Sequence, residues 1–244
     1  MAGDPFAEFD ALVRELEKAR ARQTGQPRTP PRRDGWRSLR RWLLRGAALA
    51  SALLLPFYLL VGGSVLFYRL LGLPTWPALL AGVLLTALLL LLYAYAVAKR
   101  VSGRFRLPRP VRRATLAVVG AYCLYTLLYL SSLNVKDAAI LDEYRSLHPL
   151  LRLATSTFIL VDSDLVITDM QRAVEEYEWM GLAPYERSLH RIQADGYAHA
   201  VDLRTIGRRP WRNLLLEGYF TAMGFRTLRH VGTADHLHVS LPNP

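Results

Sequence analysis

Three long apolar runs in the first half of the chain constrain the fold more than any other feature. Residues 46–68, 73–98 and 114–133 contain no charged side chain. Each run reaches the ~20 residues that a helix needs to cross the ~30 Å hydrocarbon core of a bilayer. Inside that core there is no water, and a single segment can satisfy its backbone hydrogen bonds within itself only as a helix. The sequence therefore predicts a membrane protein whose region 36–134 contains three transmembrane α-helices.

Lysine and arginine are distributed very unevenly among the segments that flank these runs. Only Arg69 lies between the first two runs. The segment before the first run contains Arg28, Arg32, Arg33, Arg37, Arg40, Arg41 and Arg45. The segment between the second and third runs contains Lys99, Arg100, Arg104, Arg106, Arg109, Arg112 and Arg113. Segments rich in lysine and arginine usually stay in the cytoplasm. We therefore expect a bacterial-type cytoplasmic membrane, with residues 1–35 on its inner side and residues after about 134 on its outer side.

The charge balance also indicates a membrane partner. The chain has a formal net charge of +11, but its basic residues concentrate beside the apolar runs, so we expect no nucleic-acid partner. Its one cysteine, Cys123, lies inside the third run, which excludes an intrachain disulfide or a cysteine-based metal site. Apolar residues at helical spacing predict a short amphipathic helix over residues 5–22 of the N-terminal segment.

Residues 135–244 are predicted to form a small α+β domain with an antiparallel sheet. Helices are expected over residues 135–153, 170–180 and 211–223. Strands are expected within residues 158–168, 187–191, 198–204, 225–231 and 236–241, with a hairpin turn at 194–196. All six histidines of the chain lie in this region, so we expect any catalytic or metal-binding site to lie there.

The histidines and one aspartate occupy positions that suit a catalytic metal. On a strand, side chains two positions apart share a face, so His236 and His238 point the same way. The predicted hairpin brings His190 within reach of Asp202. Two histidines and one carboxylate are a normal ligand set for catalytic zinc, which keeps a further position open for water. A general base is also needed near that water, and His236 and Asp235 are the candidates.

These residues follow one another in an order that is similar to a known family. The chain carries Ser188-x-His190, then a turn, Ala200-Val201-Asp202, and finally Asp235-His236-x-His238. This order resembles the LAS-type zinc peptidases, which include D-alanyl-D-alanine carboxypeptidases and penicillin-insensitive murein endopeptidases. The resemblance covers only the second half of the chain. It implies zinc on His190, Asp202 and His238, with His236 as the other active-site histidine and Ser188 at the substrate rim.

Several positions depart from the pattern of that family. His190 precedes the aspartate by twelve residues, where the family has seven, and His199 is a rival ligand. Asp235 stands where the carboxypeptidase branch often has glutamate. The family's Gly-Tyr-Arg motif for the substrate carboxylate is absent. Arg172 or Arg152 is the expected replacement for its arginine.

The topology and the ligand pattern together predict a function. We expect a membrane-anchored zinc metallopeptidase that hydrolyses peptide bonds of peptidoglycan, as a carboxypeptidase or an endopeptidase. One alternative is a non-catalytic domain that binds wall peptides or a protein partner. Another is a membrane scaffold whose metal only stabilises the domain, in which case four protein ligands should close the site.

Overall fold

The computed structural model describes residues 5–23, 35–103, 108–172, 188–232 and 235–242. The chain forms two compact units, Met1–Ala50 and Ser51–Pro244. The first unit contains helix α1, Pro5–Gln23, and the beginning of helix α2, Gly35–Leu71. The second contains the rest of α2 and every element that follows.

The long apolar helices are confirmed. Among the described residues, three helical segments are long and apolar enough to cross a membrane: Ser38–Leu71, Thr75–Val101 and Arg109–Leu128. They belong to α2, to α3 (Thr75–Ser102) and to α4 (Arg109–Leu128). The third ends five residues earlier than the sequence predicts, because Tyr129 turns to an extended conformation with φ −119° and ψ 132°. Pro56 lies within α2 without ending it, as membrane helices tolerate.

Small residues bring α2 and α3 close together. A Cβ atom on Gly82 would lie 2.8 Å from the backbone oxygen of Leu60. Glycine is therefore required at this crossing, and it serves the close backbone approach that is common between membrane helices.

The rest of the second unit, called the sheet domain, contains a four-stranded antiparallel sheet and the helices beside it. After α5 (Ala138–Asp142) and α6 (Pro149–Val161), strand β1 covers Ile167–Asp169 and β2 covers Ala200–Arg204. Helix α7 (Pro210–Ala222) precedes β3 (Arg226–His230) and β4 (His236–Ser240). The strand order is β1-β2-β4-β3. The predicted helix at 211–223 and the last strand pair are confirmed, and Gly224, at φ 93°, ends the helix region in a left-handed conformation.

The two faces of the sheet differ in chemistry. One face contributes Val201, Leu203, Leu237 and Val239 to a core that includes Leu216 and Phe220 of α7. The other face carries Asp202, opposite His238 in the register of β2 and β4. Because side chains alternate along each strand, the apolar set and the histidine set cannot mix.

The sheet domain packs directly against the ends of the long helices. The guanidinium of Arg152 in α6 donates to the backbone oxygen of Leu127 at the end of α4, at 2.8 Å. Arg69, near the end of α2, donates to the backbone oxygen of Gly224. The domain therefore lies at the end where α2 and α4 finish, opposite the end where α3 finishes and α4 begins.

Some predicted elements differ in the structure. Residues 158–161 are not a strand, because α6 begins at Pro149 and buries its apolar face through Phe158 before ending at Val161. The helix predicted over 135–153 is divided in the structure. A 3-10 turn, Glu143–Ser146, follows α5, and residues 149–153 belong to α6, which His148 caps.

The predicted hairpin is shorter than expected. Residues 188–191 form a turn, and only Ile192 and Ala198 pair as an isolated antiparallel bridge. Of the helix predicted at 170–180, residues 173–180 lie outside the described part of the chain, and Gln171 and Arg172 are not helical.

Candidate metal centre

Three nitrogen and oxygen atoms from distant parts of the chain converge at the predicted site. The Nε2 atom of His190 lies 3.2 Å from Nδ1 of His238 and 3.3 Å from Oδ1 of Asp202. Nδ1 of His238 lies 2.8 Å from the same carboxylate oxygen. The sheet register places Asp202 opposite His238, and the turn that precedes β2 supplies His190.

These separations fit a shared metal ion. Two ligands of one tetrahedral zinc ion, each bound at 2.0–2.1 Å, are about 3.3 Å apart. One ligand atom from each of His190, Asp202 and His238 lies within 4.8 Å of the other two. Imidazole nitrogen and carboxylate oxygen are also ligands that zinc accepts. The structure therefore contains a possible metal site with the ligands that the sequence predicts.

Neighbouring groups prepare His190 for this role. Its Nδ1 lies 3.1 Å from the backbone oxygen of Met170, which can only accept a hydrogen bond. The proton of a neutral His190 therefore sits on Nδ1, and Nε2 presents a lone pair to the cluster. Metal-binding histidines usually have such a partner on the other ring nitrogen.

A buried carboxylate forms the base of the cluster. Burial of Asp202 opposes its ionisation, but the adjacent imidazoles of His190 and His238 outweigh this and hold its pKa well below the usual range. Its second oxygen, Oδ2, accepts a hydrogen bond from Nη2 of Arg172 at 2.9 Å. Arg172 also pairs with Asp169, whose carboxyl has a pKa that is raised by burial.

The cluster opens towards solvent on one side. The side chains of His190 and Asp202 are 4% exposed, whereas that of His238 is 23% exposed. A water molecule or a substrate group can therefore approach past His238.

The two candidate bases differ in how strongly they are engaged. Nε2 of His236 lies 3.6 Å from Oδ2 of Asp202, and its ring stacks on His230 with centroids 4.7 Å apart. Asp235 forms an ion pair with Arg229, at 3.1 Å, and accepts from Thr205 at 2.6 Å. Hydrogen bonds from Arg229 and Thr205 lower the pKa of Asp235. This geometry favours His236 as the base.

The remaining predicted residues lie at different distances from the cluster. Ser188 begins the turn that carries His190, and its backbone oxygen accepts from Arg191 at 3.2 Å. Arg172 touches the candidate ligand Asp202 rather than a separate substrate pocket. Arg152 is buried in α6, bonded to Leu127, and does not join the cluster.

The rival ligand, His199, belongs to a second cluster. Its Nε2 lies 2.9 Å from Oδ2 of Asp195, and Nε2 of His148 lies 3.5 Å from the same oxygen. This trio also satisfies the distance criterion for a metal site. It borders a cleft of about 460 Å³ that is lined by Tyr68 and Trp76, among others. This cleft lies beside the second cluster, and its lining does not include His190, Asp202 or His238.

The hydrogen bonds of His148 argue against a metal at the second cluster. Its Nδ1 accepts from the backbone N–H of Leu150 at 3.2 Å. Burial, together with the positive charges of His199 and Arg152, lowers the pKa of His148 to about 2, so the ring is neutral. Its one proton must then sit on Nε2, where it faces Thr75 Oγ1 at 2.9 Å. No lone pair remains on this atom for a cation.

Sequence reasoning missed two features of these clusters. Asp169 is the last residue of β1 and Met170 follows it, and the pairing of β1 with β2 brings both to the site. The spacing of His148 and Asp195 in the sequence does not predict that they lie together, because their proximity depends on a parallel bridge between Leu147 and Ala198. A scan against protein-family models and searches of curated proteins and of solved structures found no match.

Proposed function

We propose that this chain is a membrane-anchored zinc metallopeptidase that hydrolyses peptide bonds of the cell wall outside the membrane. The observation that carries the proposal is the convergence of His190 Nε2, Asp202 Oδ1 and His238 Nδ1 within 3.3 Å of one another. Among the described residues the site has three ligands, and a three-ligand zinc site leaves a coordination position for the reaction.

The residues around the cluster divide the work of peptide hydrolysis. When bound, zinc acidifies water and polarises the scissile carbonyl. Arg172 holds Oδ2 of Asp202 and so directs Oδ1 towards the two imidazoles. His236, on the same strand face as His238, accepts the proton of the attacking water and returns it to the leaving amine.

The substrate class follows from the resemblance and from the predicted orientation. The resemblance to LAS-type zinc peptidases implies peptides of peptidoglycan, and the distribution of arginine predicts that the sheet domain faces the wall. Ser188 lies at the entry to the turn of His190, where it can contact the substrate backbone. Whether the enzyme trims a terminal residue or cuts within a peptide depends on the group that recognises the substrate carboxylate.

A second candidate function is a non-catalytic domain that binds wall peptides. The ion pairs of Arg172 with Asp169 and Asp202 favour it, because they engage the arginine that was expected to recognise a substrate carboxylate. Binding would then need no general base, and His236 would be dispensable.

Hydrolysis of a muropeptide digest by the full chain in detergent micelles tests the proposal. We expect zinc-loaded protein to release new amines, and a chelator to abolish the release. Asp202→Asn keeps the shape of the side chain but weakens it as a ligand, and should remove both the metal and the activity. Asp164→Asn is the matched control, since Asp164 lies on the exposed turn after α6 with its side chain 70% exposed.

The outcomes separate the candidate functions. Release that survives both the chelator and Asp202→Asn would refute the zinc mechanism. Peptide binding without release, unaffected by His236→Gln, would support the non-catalytic domain instead.

A further inference from the structure

Exposed apolar side chains lie on two neighbouring helices of the sheet domain, α6 and α7. Trp211, Leu214 and Leu215 of α7 are exposed by 55%, 69% and 58%. Leu160 and Val161, at the end of α6, are exposed by 56% and 82%. These five residues form the α6–α7 patch. Soluble proteins rarely expose so many large apolar side chains together, and such patches usually mark an interaction surface.

The patch follows from the helical periodicity of α7. Positions 211, 214 and 215 share one side of a helix. On the other side, Leu216 and Phe220 are fully buried against the sheet. Helix α7 therefore has two apolar sides, and only one of them is covered by the domain.

Contacts with the long helices locate α7 at the depth of the apolar runs. Met223, which follows α7, has its sulfur 3.5 Å from the Cβ position of Gly62 in α2. Gly62 precedes the end of α2 by nine residues, or about 14 Å of helix. Tyr219 of α7 donates to the backbone oxygen of Ala154, and the neighbouring Thr157 bonds the hydroxyl of Tyr122 in α4 at 2.7 Å. Both Gly62 and Tyr122 lie inside apolar runs of the sequence.

Charged groups lie at the edge of the patch. Arg208 and Arg212 pair with Asp162, which directly follows Val161. Arg209, at the start of α7, is exposed. An exposed tryptophan and leucines beside arginines are the composition of helices that lie in the headgroup region of a bilayer. Arg212 also pairs with Asp164, so three arginines face two aspartates, and the small net positive charge of this edge suits anionic lipid.

We propose that the α6–α7 patch inserts into the outer-leaflet interface of the membrane that the three long helices cross. Its occupant is the headgroup–acyl boundary of an anionic phospholipid bilayer. The lipid-facing surface of α2 and α4 then continues onto the sheet domain. In this arrangement part of the domain lies within the membrane interface, and the domain is not held in water only by its connection to the helices. The inference rests on the crossing of the membrane by the long helices and does not depend on a metal.

This placement orients the candidate metal centre. Helix α7 covers the apolar face of the sheet, whereas Asp202 and His238 lie on the opposite face. With α7 against the bilayer, the opening beside His238 faces away from the membrane and towards the wall. The embedded helix would therefore hold the site at a fixed height above the lipid.

Site-directed spin labelling of the full chain in vesicles of phosphatidylcholine and phosphatidylglycerol tests the inference. In a Cys123→Ser background, single cysteines replace Leu214 or Leu215 and carry a nitroxide. Collision rates with oxygen, which enters lipid, and with a nickel chelate, which stays in water, are compared. Leu228→Cys is the matched control, because Leu228 is 56% exposed but lies on the strand face of His238. Val118→Cys, 65% exposed on α4, supplies the lipid reference.

We expect the labels at 214 and 215 to show an oxygen-to-nickel ratio close to that at 118 and well above that at 228. Ratios at 214 and 215 equal to that at 228 would overturn the inference, and so would a water-like ratio at 118. Because these measurements need neither zinc nor substrate, their failure is distinguishable from failure of the proposed peptidase.

Discussion

Among the described residues, the sheet domain contains two clusters that each join two histidines to one aspartate. His190, Asp202 and His238 form the open cluster, on the sheet face that α7 does not cover, with His238 partly exposed. His148, Asp195 and His199 form the closed cluster, where the domain touches the start of α3, and both of its imidazoles are buried. Distance alone does not separate them, since both sets bring their donor atoms within 4.8 Å.

The clusters differ in where their neighbours place the protons. The backbone oxygen of Met170 holds a proton on Nδ1 of His190 and leaves Nε2 as a lone pair. The backbone N–H of Leu150 does the reverse to His148, and forces the proton onto Nε2. One backbone group beside each imidazole thus decides whether the cluster offers a ligand to a cation or a donor to a hydrogen bond.

Replacing one histidine of each cluster by glutamine should produce the largest difference between the clusters, and the difference should appear in metal binding. We expect one zinc ion per chain in the wild type and in His199→Gln, and none in His238→Gln. Loss of a partner behind a ligand already costs about 10–100-fold in metal affinity, so loss of a ligand should exceed that. Metal analysis after dialysis measures the content. Zinc lost from His199→Gln but kept by His238→Gln would reverse the assignment.

The proposed general base, His236, lies beside Asp202 of the open cluster, and this predicts a second contrast. His236→Gln should keep the zinc but lower the rate of muropeptide hydrolysis by about 10²–10⁴-fold, the usual contribution of a general base. Rates and metal content are measured on the same sample. Full activity in this variant would remove His236 from the mechanism and return Asp235 as the candidate.

Only part of the open cluster was accessible from the sequence. Strand alternation alone puts His236 and His238 on one face. The full ligand set followed from the family resemblance, because the pairing of β2 with β4 that sets Asp202 opposite His238 joins segments far apart in the chain. The apolar runs, in contrast, predict the long helices by their length alone.

The closed cluster and α6 were not accessible in this way. The apolar stretch at 158–161 is short enough for a strand or a buried helix, and only the start of α6 at Pro149 decides for a helix. His148 and His199 are brought together by tertiary packing, with ring centroids 4.6 Å apart. No periodicity in the sequence encodes that contact.

The neutral state of His148 predicts a pH dependence that belongs to the closed cluster. The pKa of His148 falls from about 6.5 in the unfolded chain to about 2 in the fold. The unfolded chain therefore binds more protons between these values. Stability is fully present above pH 6.5 and decreases as the pH falls below it, by about 2 kcal/mol at pH 5.

Thermal unfolding of zinc-free protein at pH 5 and above pH 6.5 measures this loss of stability. The side chain of His148→Asn can still accept a hydrogen bond from the backbone N–H of Leu150, but it does not titrate. The variant should therefore lose about 2 kcal/mol less stability at pH 5 than the wild type does. Equal losses in both proteins would mean that His148 is charged in the fold, and the proton assignment of the closed cluster would then be wrong.

The smallest expected effect concerns Asp195. Asp195→Asn keeps the oxygen that accepts from the backbone N–H of Tyr197 but loses the charge opposite His199. Because the Asp195 side chain is 32% exposed, we expect a cost of only about 1 kcal/mol. Zinc content should not change, in contrast to Asp202→Asn. A loss of zinc here would show that the closed cluster binds the metal.

Anomalous X-ray diffraction from zinc-loaded crystals of the full chain tests most directly which histidine–aspartate cluster holds the ion. We predict one anomalous peak, about 2.1 Å from Nε2 of His190, Oδ1 of Asp202 and Nδ1 of His238. A peak between His148 and His199, or no peak among the first three atoms, would contradict the account.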